Sequence, residues 1–309
     1  NSDVVLENFR KGTLEKLGIG YDVISKINPK IILCEISGYG RTGPYADKGG
    51  FDLVAQGMSG LMSITGESKD KPPMKVGAPI TDITAGLLAA SGILAALVHR
   101  NKTGEGQKVD TSLFEAGIVH TYWQSAIAGA TGQSPGPLGS AHPLTAPYQA
   151  FKTMDKWITV GASNQNTWLM LLKAINRMDL QENEMFSSNF NRKKNITQLV
   201  EILNAELIKK TSDEWLKIFD DNGLPCGPIN SINEMFEDPQ TIEREMIIEV
   251  DNKKAGTSKA IGMPIKFSKS KTEKSKGAPN LGEHTKEIMK IFDYNDEQIE
   301  DFYNRKVIL

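Results

Sequence analysis

The sequence predicts an α/β protein with a parallel sheet, followed by a smaller α+β unit. VVLENF at 4–9 is β-branched and apolar, and KIILCEISGYG at 30–40 has the same character. The helical patterns GTLEKLG and YDVISKIN separate the two. A strand, a helical crossover and a second strand make a right-handed parallel unit. We therefore expect a ligand crevice beyond the carboxyl ends of these strands, near Asn8, Phe9 and the Gly-rich loop 38–50.

Two further helical segments follow that loop. FDLVAQGMSGLMSI at 51–64 has apolar residues at helical spacing. A second helix is expected from about Asp82 to Arg100, because Gly104 is a typical residue just beyond a helix end. Its apolar run, 83–98, is too short to span a bilayer, so it indicates a buried core helix. GQKVDTSLFEAGIVHTYW then begins as a strand and continues as a helix.

A domain boundary is predicted at the loop ATGQSPGPLGSAHPLTAP, 130–147, which is rich in helix and strand breakers. We expect a large α/β domain at 1–135 and a small α+β domain at 136–265. The small domain contains the hairpin YQAFKTMDKWITVGA, a mostly helical stretch at 164–222 and paired strands in MIIEVDN and SKAIGMPIKFS. The remaining 266–309 are expected to form a basic solvated linker and a C-terminal helix that returns to the large domain.

Composition excludes several classes of protein. The chain has 309 residues, 39% hydrophobic and 24% charged, with a net charge of −2, which is typical of an ordinary soluble protein. Nucleic-acid binders usually carry a clustered basic excess, so a nucleic-acid partner is not expected. A membrane partner is not expected either, because the apolar run at 83–98 is too short to span a bilayer. Cys34 and Cys226 lack a CxxC neighbour, which predicts no metal site and a reducing compartment. We expect a cytoplasmic location. The N-terminal segment NSDVVLENF lacks an initiator Met and a signal pattern, which suggests that upstream residues are missing. A mitochondrial matrix location therefore stays open.

Local chemistry offers few candidates. Asp82 heads a long run of small and apolar residues, and by itself it is best interpreted as a helix cap. Thr81 and Asp82 are both favoured cap types, and a first-turn carboxylate gains about 0.3–1 kcal/mol from the helix dipole. No metal-ligand spacing, catalytic triad or dinucleotide fingerprint occurs. Lys16, Arg41 and Lys48 lie near strand ends and could hold a phosphate, although such cations are more often solvated.

Six segments in order resemble the class III coenzyme A transferase family, the CaiB/BaiF type: DVVLENFRKGTLEKLG, INPKIILCEISGYGRTGPYADKGGFDLVAQGMSGLMSITG, TDITAG with HRNKTGEGQKVD, SAHPLTAPYQAF, LPCGPINSINEMFEDPQ and LGEHTKEI. The resemblance covers nearly the whole chain, although family members carry an upstream strand-helix-strand segment that is absent here. It implies a nucleotide-fold-like large domain, a smaller α+β domain and an interlocked homodimer. It also implies no tightly bound cofactor, with coenzyme A (CoA) entering as an acyl-CoA substrate beside a carboxylic acid.

The resemblance implies that Asp82 is a covalent nucleophile. It also implies contacts to CoA from eight residues: Asn8, Phe9, Arg10, Lys16, Gly49, Gly50, Phe51 and Asp52. Of these, Asn8 and Phe9 would line the adenine and ribose, and the turn beginning at Gly49 would lie near the pantetheine. Lys16 would bind phosphate in place of the more common arginine, which keeps the charge but loses bidentate geometry.

The resemblance leaves three functions to compare. The first is an acyl-CoA:carboxylate CoA-transferase that acts through an aspartyl-CoA thioester. The second is an α-methylacyl-CoA racemase-like enzyme, which is disfavoured because Phe51 stands where racemases have a proton-moving histidine. The third is a non-catalytic CoA-binding protein, suggested by the absent upstream segment. GSAHPLTAP replaces the glycine run of formyl-CoA transferases, which favours a larger dicarboxylate or acyl group over a formyl or oxalyl substrate.

Overall fold

A computed structural model describes residues 2–271 and 276–308, so part of the predicted basic linker lies outside the described residues. The chain divides into two compact units, Asn1–Pro228 and Ile229–Leu309. The domain ranges and the interlocked dimer expected from the sequence stay predictions. The mixed α/β class is confirmed by the elements themselves.

The first sheet is parallel and places its strands in the order β1-β2-β3: Val4–Glu7, Ile32–Ser37 and Lys108–Ser112. The crossover from β1 to β2 contains helices α1 and α2: Thr13–Lys16 and Tyr21–Ile27. The central strand β2 is buried, and Ile32 and Cys34 have no exposed surface. The predicted strand-helix-strand unit is confirmed, and the carboxyl ends of its strands lie side by side.

Helices α3 to α7 follow: Asp52–Met58, Leu61–Ile64, Ile80–Thr103, Leu113–Val119 and Tyr122–Thr131. The single helix predicted at 51–64 is divided, because Gly60 adopts a left-handed φ of 88° between α3 and α4. Helix α5 is longer than expected, and Gly104 ends it in a left-handed conformation as predicted. Small buried residues, including Ala85 and Ala89, let α5 pack closely against β2, β3 and α6.

Helix α5 has 24 residues, and among the described residues it alone has the length and composition that crossing a membrane would need. That is weak evidence, because a core helix of a soluble protein meets the same criteria. Helix α5 packs on the sheet as a core helix would, but the prediction that it is buried is only partly correct, because Leu87, Leu94 and Val98 are exposed.

The rest of the first unit contains an antiparallel sheet covered by helices. Its strands are β4 to β6: Tyr148–Lys152, Trp157–Gly161 and Cys226–Pro228. Helices α8 to α12 lie between β5 and β6: Gln165–Ala174, Asp179–Glu182, Asn189–Lys194, Ile196–Leu207 and Ser212–Asp221, with a 3-10 turn at Glu184–Phe186. Phe151, Ile158 and Trp168 are fully buried in the core between them. The predicted hairpin and the helical stretch after it are confirmed.

The second unit, Ile229–Leu309, contains a hairpin of β7 and β8 with four helices in its described part. Its elements are α13 Ile232–Glu237, α14 Pro239–Glu243, β7 Ile247–Asn252, β8 Gly256–Ile261, α15 Thr285–Ile291 and α16 Asp296–Asn304. The predicted pairing of MIIEVDN with SKAIGMPIKFS is confirmed.

Candidate active site

A cavity of about 610 Å³ opens beyond the carboxyl ends of β1 and β2, where the sequence predicts a crevice. Its walls include seven of the predicted site residues: Asn8, Phe9, Arg10, Gly49, Gly50, Phe51 and Asp82. Residues that are far apart in the chain therefore meet at one site. The carboxylate on α5 shares the cavity with the segment after β1 and with the Gly-rich loop after β2.

Two predicted site residues, Lys16 and Asp52, are not among those that line the cavity. Lys16 is an exposed residue at the end of α1. Asp52 begins α3, and its Oδ1 accepts hydrogen bonds from the Thr81 backbone N–H at 3.0 Å and the Thr81 hydroxyl at 2.8 Å. The Asp52 carboxylate is therefore directed at the start of α5.

Asp82 is not the cap of its helix, contrary to the interpretation from local sequence. Helix α5 begins at Ile80, its N-cap is Pro79, and Asp82 lies in the first turn without a capping hydrogen bond. Capping by Asp82 fails because the helix starts two residues earlier than the sequence indicates. The Asp82 carboxylate is exposed at the cavity wall instead.

The electrostatic surroundings of Asp82 also differ from the expectation. A helix N-terminus should favour the ionised form of a carboxylate. Although Asp82 is exposed as a residue, its position at the cavity wall removes part of the solvent from its carboxyl group. This partial burial, and then the negative charge of Asp52, raise the pKa of Asp82 above its ordinary value. Asp82 is thus a more basic carboxylate than a typical surface aspartate.

Arg41 supports the floor of the cavity. Its guanidinium pairs with Glu7, and its Nε lies 3.1 Å from Glu35 Oε1, though without hydrogen-bond geometry. Its Nη1 donates to the Phe9 carbonyl at 3.1 Å, and its backbone N–H donates to Asp110 at 2.9 Å. Arg41 therefore ties the Gly-rich loop to all three parallel strands. It is neither the solvated cation nor the free phosphate ligand that the sequence suggests.

Glycines bring the Gly-rich loop close to its neighbours. A Cβ on Gly38 would lie 2.8 Å from the Gly50 backbone nitrogen, so these two backbones touch. A Cβ on Gly49 would lie 2.5 Å from Arg10 Nη2, so the missing side chain leaves space for the Arg10 guanidinium. Asn8 donates from Nδ2 to the Ile36 carbonyl at 2.9 Å, which fixes the segment after β1.

Several positively charged side chains line the cavity. Arg10 has no carboxylate partner within the described residues, and Lys11 has only the exposed Asp47 at 3.7 Å. The Lys48 ammonium lies 4.1 Å from the centroid of the Tyr45 ring. Sequence reasoning missed Lys11, whose only signal is its place directly after Arg10. Such cations can bind a polyanion.

No cluster of three or more His, Cys, Asp or Glu side chains suited to a metal ion occurs in residues 2–271 and 276–308. The candidate site is thus described by its carboxylate, its cations and its glycine-rich wall.

Comparison with known proteins decides the family. A model of the CoA-transferase family III matches residues 1–285. The chain belongs to CoA-transferase family III. The resemblance read from the sequence is confirmed, and the protein is an enzyme of this transferase class. A non-catalytic CoA-binding protein, one of the alternatives left open by the sequence, is therefore wrong.

Individual relatives agree with this family assignment. The chain is 40% identical to an acyl-CoA transferase of Fusarium pseudograminearum, covering 100% of this chain and 68% of the relative. It is 36% identical to the succinyl-CoA:glutarate CoA-transferase of Mus musculus, covering 96% of this chain and 68% of the relative. The crystal structure of a CaiB/BaiF family protein from Brucella suis superposes with a TM-score of 0.80 at 35% identity, covering 94% of this chain and 75% of that one. The class III CoA-transferase fold extends over almost all of the chain.

Proposed function

We propose that this class III CoA-transferase moves CoA between two carboxylic acids through a covalent thioester on Asp82. The observation that carries the proposal is the position of Asp82. Its carboxylate is free of capping hydrogen bonds and lines the same cavity as Arg10, Lys11 and Lys48. A nucleophile and a set of cations for an anionic thioester substrate are thus present together.

The first half-reaction loads CoA onto the enzyme. A carboxylate oxygen of Asp82 attacks the thioester carbonyl carbon of the donor, the C–S bond breaks, and CoA leaves as a thiolate. The mixed anhydride that results contains the aspartyl and donor acyl groups. The thiolate then attacks the aspartyl carbonyl carbon, and the donor leaves as its free carboxylate. Asp82 is left as a CoA thioester.

The second half-reaction reverses these steps with another acid. The acceptor carboxylate attacks the aspartyl thioester and releases the thiolate, which gives a second mixed anhydride. The thiolate attacks the acceptor carbonyl carbon, so that the new acyl-CoA forms and the Asp82 carboxylate is regenerated. One thioester replaces another, and the exchange needs no ATP.

The environment of Asp82 suits this role. A carboxylate attacks a thioester poorly in water, so it must be held near the carbonyl and partly desolvated. Burial and the charge of Asp52 raise the pKa of Asp82, which strengthens it as a nucleophile.

Phe51 argues against racemisation, the second function considered from the sequence. The ring lines the cavity and is 78% exposed, so it stands where a ligand would contact it. Phenylalanine neither accepts nor donates a proton, and a racemase needs proton-moving groups on both faces of the α-carbon. We therefore expect no exchange of the α-hydrogen of an acyl-CoA with solvent.

Dicarboxylic acids are the substrate class that we propose. Relatives in Agrobacterium fabrum and Haloarcula marismortui are named succinate–glutarate and succinyl-CoA:mesaconate CoA-transferases. A relative in Acetobacter aceti is named an acetyl-CoA:oxalate CoA-transferase, which runs against the exclusion of oxalyl groups drawn from GSAHPLTAP, so oxalate belongs among the acids to be tested. Cations around the cavity can bind the phosphates of CoA and a second carboxylate. A homodimer and a cytoplasmic location are further parts of the proposal that follow from the resemblance and the composition.

Trapping of the covalent intermediate tests the proposal. The protein is incubated with succinyl-CoA and then hydroxylamine, and peptide mass spectrometry locates the hydroxamate, which is expected on Asp82. Asp82→Ala should abolish the label and the turnover. Asp22→Asn is the matched control, because Asp22 also lies in the first turn of a helix but outside the cavity. Full turnover by Asp82→Ala would refute the proposal. If the label is found on Asp82, a panel of dicarboxylates assayed with succinyl-CoA identifies the acceptor.

A further inference from the structure

Helix α5 obtains its N-terminal cap from another helix. Its own N-cap residue, Pro79, supplies no side-chain hydrogen bond. Helices usually satisfy a free first-turn N–H with the side chain directly before them. Here the carboxylate of Asp52, at the start of α3, accepts the Thr81 N–H at 3.0 Å and the Thr81 hydroxyl at 2.8 Å. Asp52 therefore does the work of a cap from 29 residues away in the chain.

The other oxygen of Asp52 is engaged as well. Gln56 donates from Nε2 to Asp52 Oδ2 at 2.8 Å, and Gln56 Oε1 accepts the Val76 N–H at 2.9 Å. Thr81 and Gln56 are both fully buried. The network joins α3, the segment before α5 and the first turn of α5. Since buried and satisfied polar networks favour one arrangement, the start of α5 is held in a single position.

We propose that Asp52 is a positioning residue for Asp82, which acts through its hydrogen bonds to the first turn of α5 and through its negative charge. The inference rests on the proposed function, because it assigns Asp52 to the nucleophile of that reaction. Capping by Asp52 leaves the Asp82 carboxylate free to attack a thioester. Direct contact of Asp52 with CoA is a different role, and the three donors already bound to its carboxylate argue against it.

The charged groups around Asp82 differ in their effect on its pKa. Those that share its cavity are all cations: Arg10, Lys11, Arg41 and Lys48. Cations lower the pKa of a nearby carboxyl group, whereas burial and a like charge raise it. Asp52 is the carboxylate that raises the pKa of Asp82, after burial. Loss of the Asp52 charge should therefore make Asp82 less basic.

Two variants remove different parts of the Asp52 carboxylate. Asp52→Asn removes the charge and the acceptor for Gln56 Nε2 but keeps an oxygen that can accept from Thr81, whereas Asp52→Ala removes the charge and all three hydrogen bonds. The Asp82 carboxyl group is titrated by NMR in protein labelled with carbon-13 aspartate, with its signal assigned by Asp82→Asn. Hydroxylamine trapping after incubation with succinyl-CoA gives the rate of covalent labelling in the same proteins. Asp22→Asn again serves as the control.

The expected results distinguish positioning from a general structural role. In Asp52→Asn, the pKa of Asp82 should fall and the labelling rate at neutral pH should drop about twofold or more. In Asp52→Ala, labelling should drop about tenfold or more, since a misplacement of this kind commonly has a large effect on rate. Asp22→Asn should change neither quantity.

An Asp82 titration that Asp52→Asn leaves unchanged would overturn the inference. So would a higher KM for succinyl-CoA without a shift in that titration, because that result indicates a CoA contact. Absence of the label in the unsubstituted protein would instead refute the proposed function. The NMR titration does not depend on turnover, so it still decides the effect of Asp52 on Asp82.

Discussion

Replacement of Arg41 by glutamine should destabilise the first unit and disturb the cavity. The Arg41 side chain is 9% exposed, and its partners Glu7 and Glu35 have side chains that are 4% and 8% exposed. Glutamine removes the positive charge and leaves two buried carboxylates beneath the cavity. Lys108 stays 2.7 Å from Glu35, so only Glu7 loses its cation completely.

The magnitude follows from these contacts. Removal of one partner from a buried ion pair costs about 3–5 kcal/mol, because the other charge remains buried. Lys108 keeps Glu35 paired, which favours the lower part of that range. The lost hydrogen bond to the Phe9 carbonyl adds about 1 kcal/mol. We expect a total loss of about 4 kcal/mol in the free energy of unfolding.

Urea unfolding followed by tryptophan fluorescence measures the change. Lys217→Gln is the control in the same unit, because its pair with Asp221 has side chains that are 77% and 62% exposed. Loss of that surface pair should change stability by less than about 0.5 kcal/mol. A second substitution, Glu7→Gln in the Arg41→Gln background, should recover part of the loss by removing the unpaired charge. A loss below about 1 kcal/mol in Arg41→Gln would refute the reasoning.

Three other substitutions test separate parts of the structure. Gly38→Ala should lower stability by about 1–3 kcal/mol in urea unfolding, because its Cβ would lie 2.8 Å from the Gly50 nitrogen; an unchanged midpoint would contradict the close contact. The Ser212 backbone N–H, the largest cause, lowers the pKa of Asp155 to about 2, so Asp155 stabilises the fold above about pH 4 and this contribution is lost towards pH 2. Thermal unfolding should show Asp155→Asn less stable than the parent at pH 5, with the difference shrinking at pH 2. Asp82 contributes to stability with the opposite sign to Asp155: its pKa is raised in the folded state, so its ionised form destabilises the fold. Asp82→Asn should therefore unfold at a higher temperature than the parent at pH 7, and the two should converge below about pH 3, where both states are protonated.

Local pattern predicted much of the fold because the elements obey short-range rules. The strand-helix-strand unit at the start, the β4–β5 hairpin and the end of α5 at Gly104 were each visible in residue periodicity or turn chemistry. The crevice near Asn8 and Phe9 followed from the rule that ligands bind at the carboxyl ends of parallel strands. The order of six motifs was enough to recognise the family.

Pattern was less informative where a residue has a distant partner. Arg41 resembled a solvated cation, because its contacts with Glu7 and Glu35 depend on how the strands align in the sheet. Lys16 was expected at the CoA site; it is exposed at the end of α1 and is not among the residues that line the cavity, so its contact with CoA stays a prediction. Neither position could be read from neighbouring residues.

The sequence by itself determined that one carboxylate, Asp82, stands at the head of a helix of small residues beside a Gly-rich crevice. Only the tertiary structure showed that the Asp82 carboxylate does not cap its helix. Asp82 looked like a cap because local chemistry permits it, yet Asp52 from α3 accepts the first-turn N–H of Thr81. A helix takes whichever acceptor the fold brings to its first turn, and the position of that acceptor depends on how α3 packs against α5. Packing thus leaves the Asp82 carboxylate free at the cavity wall.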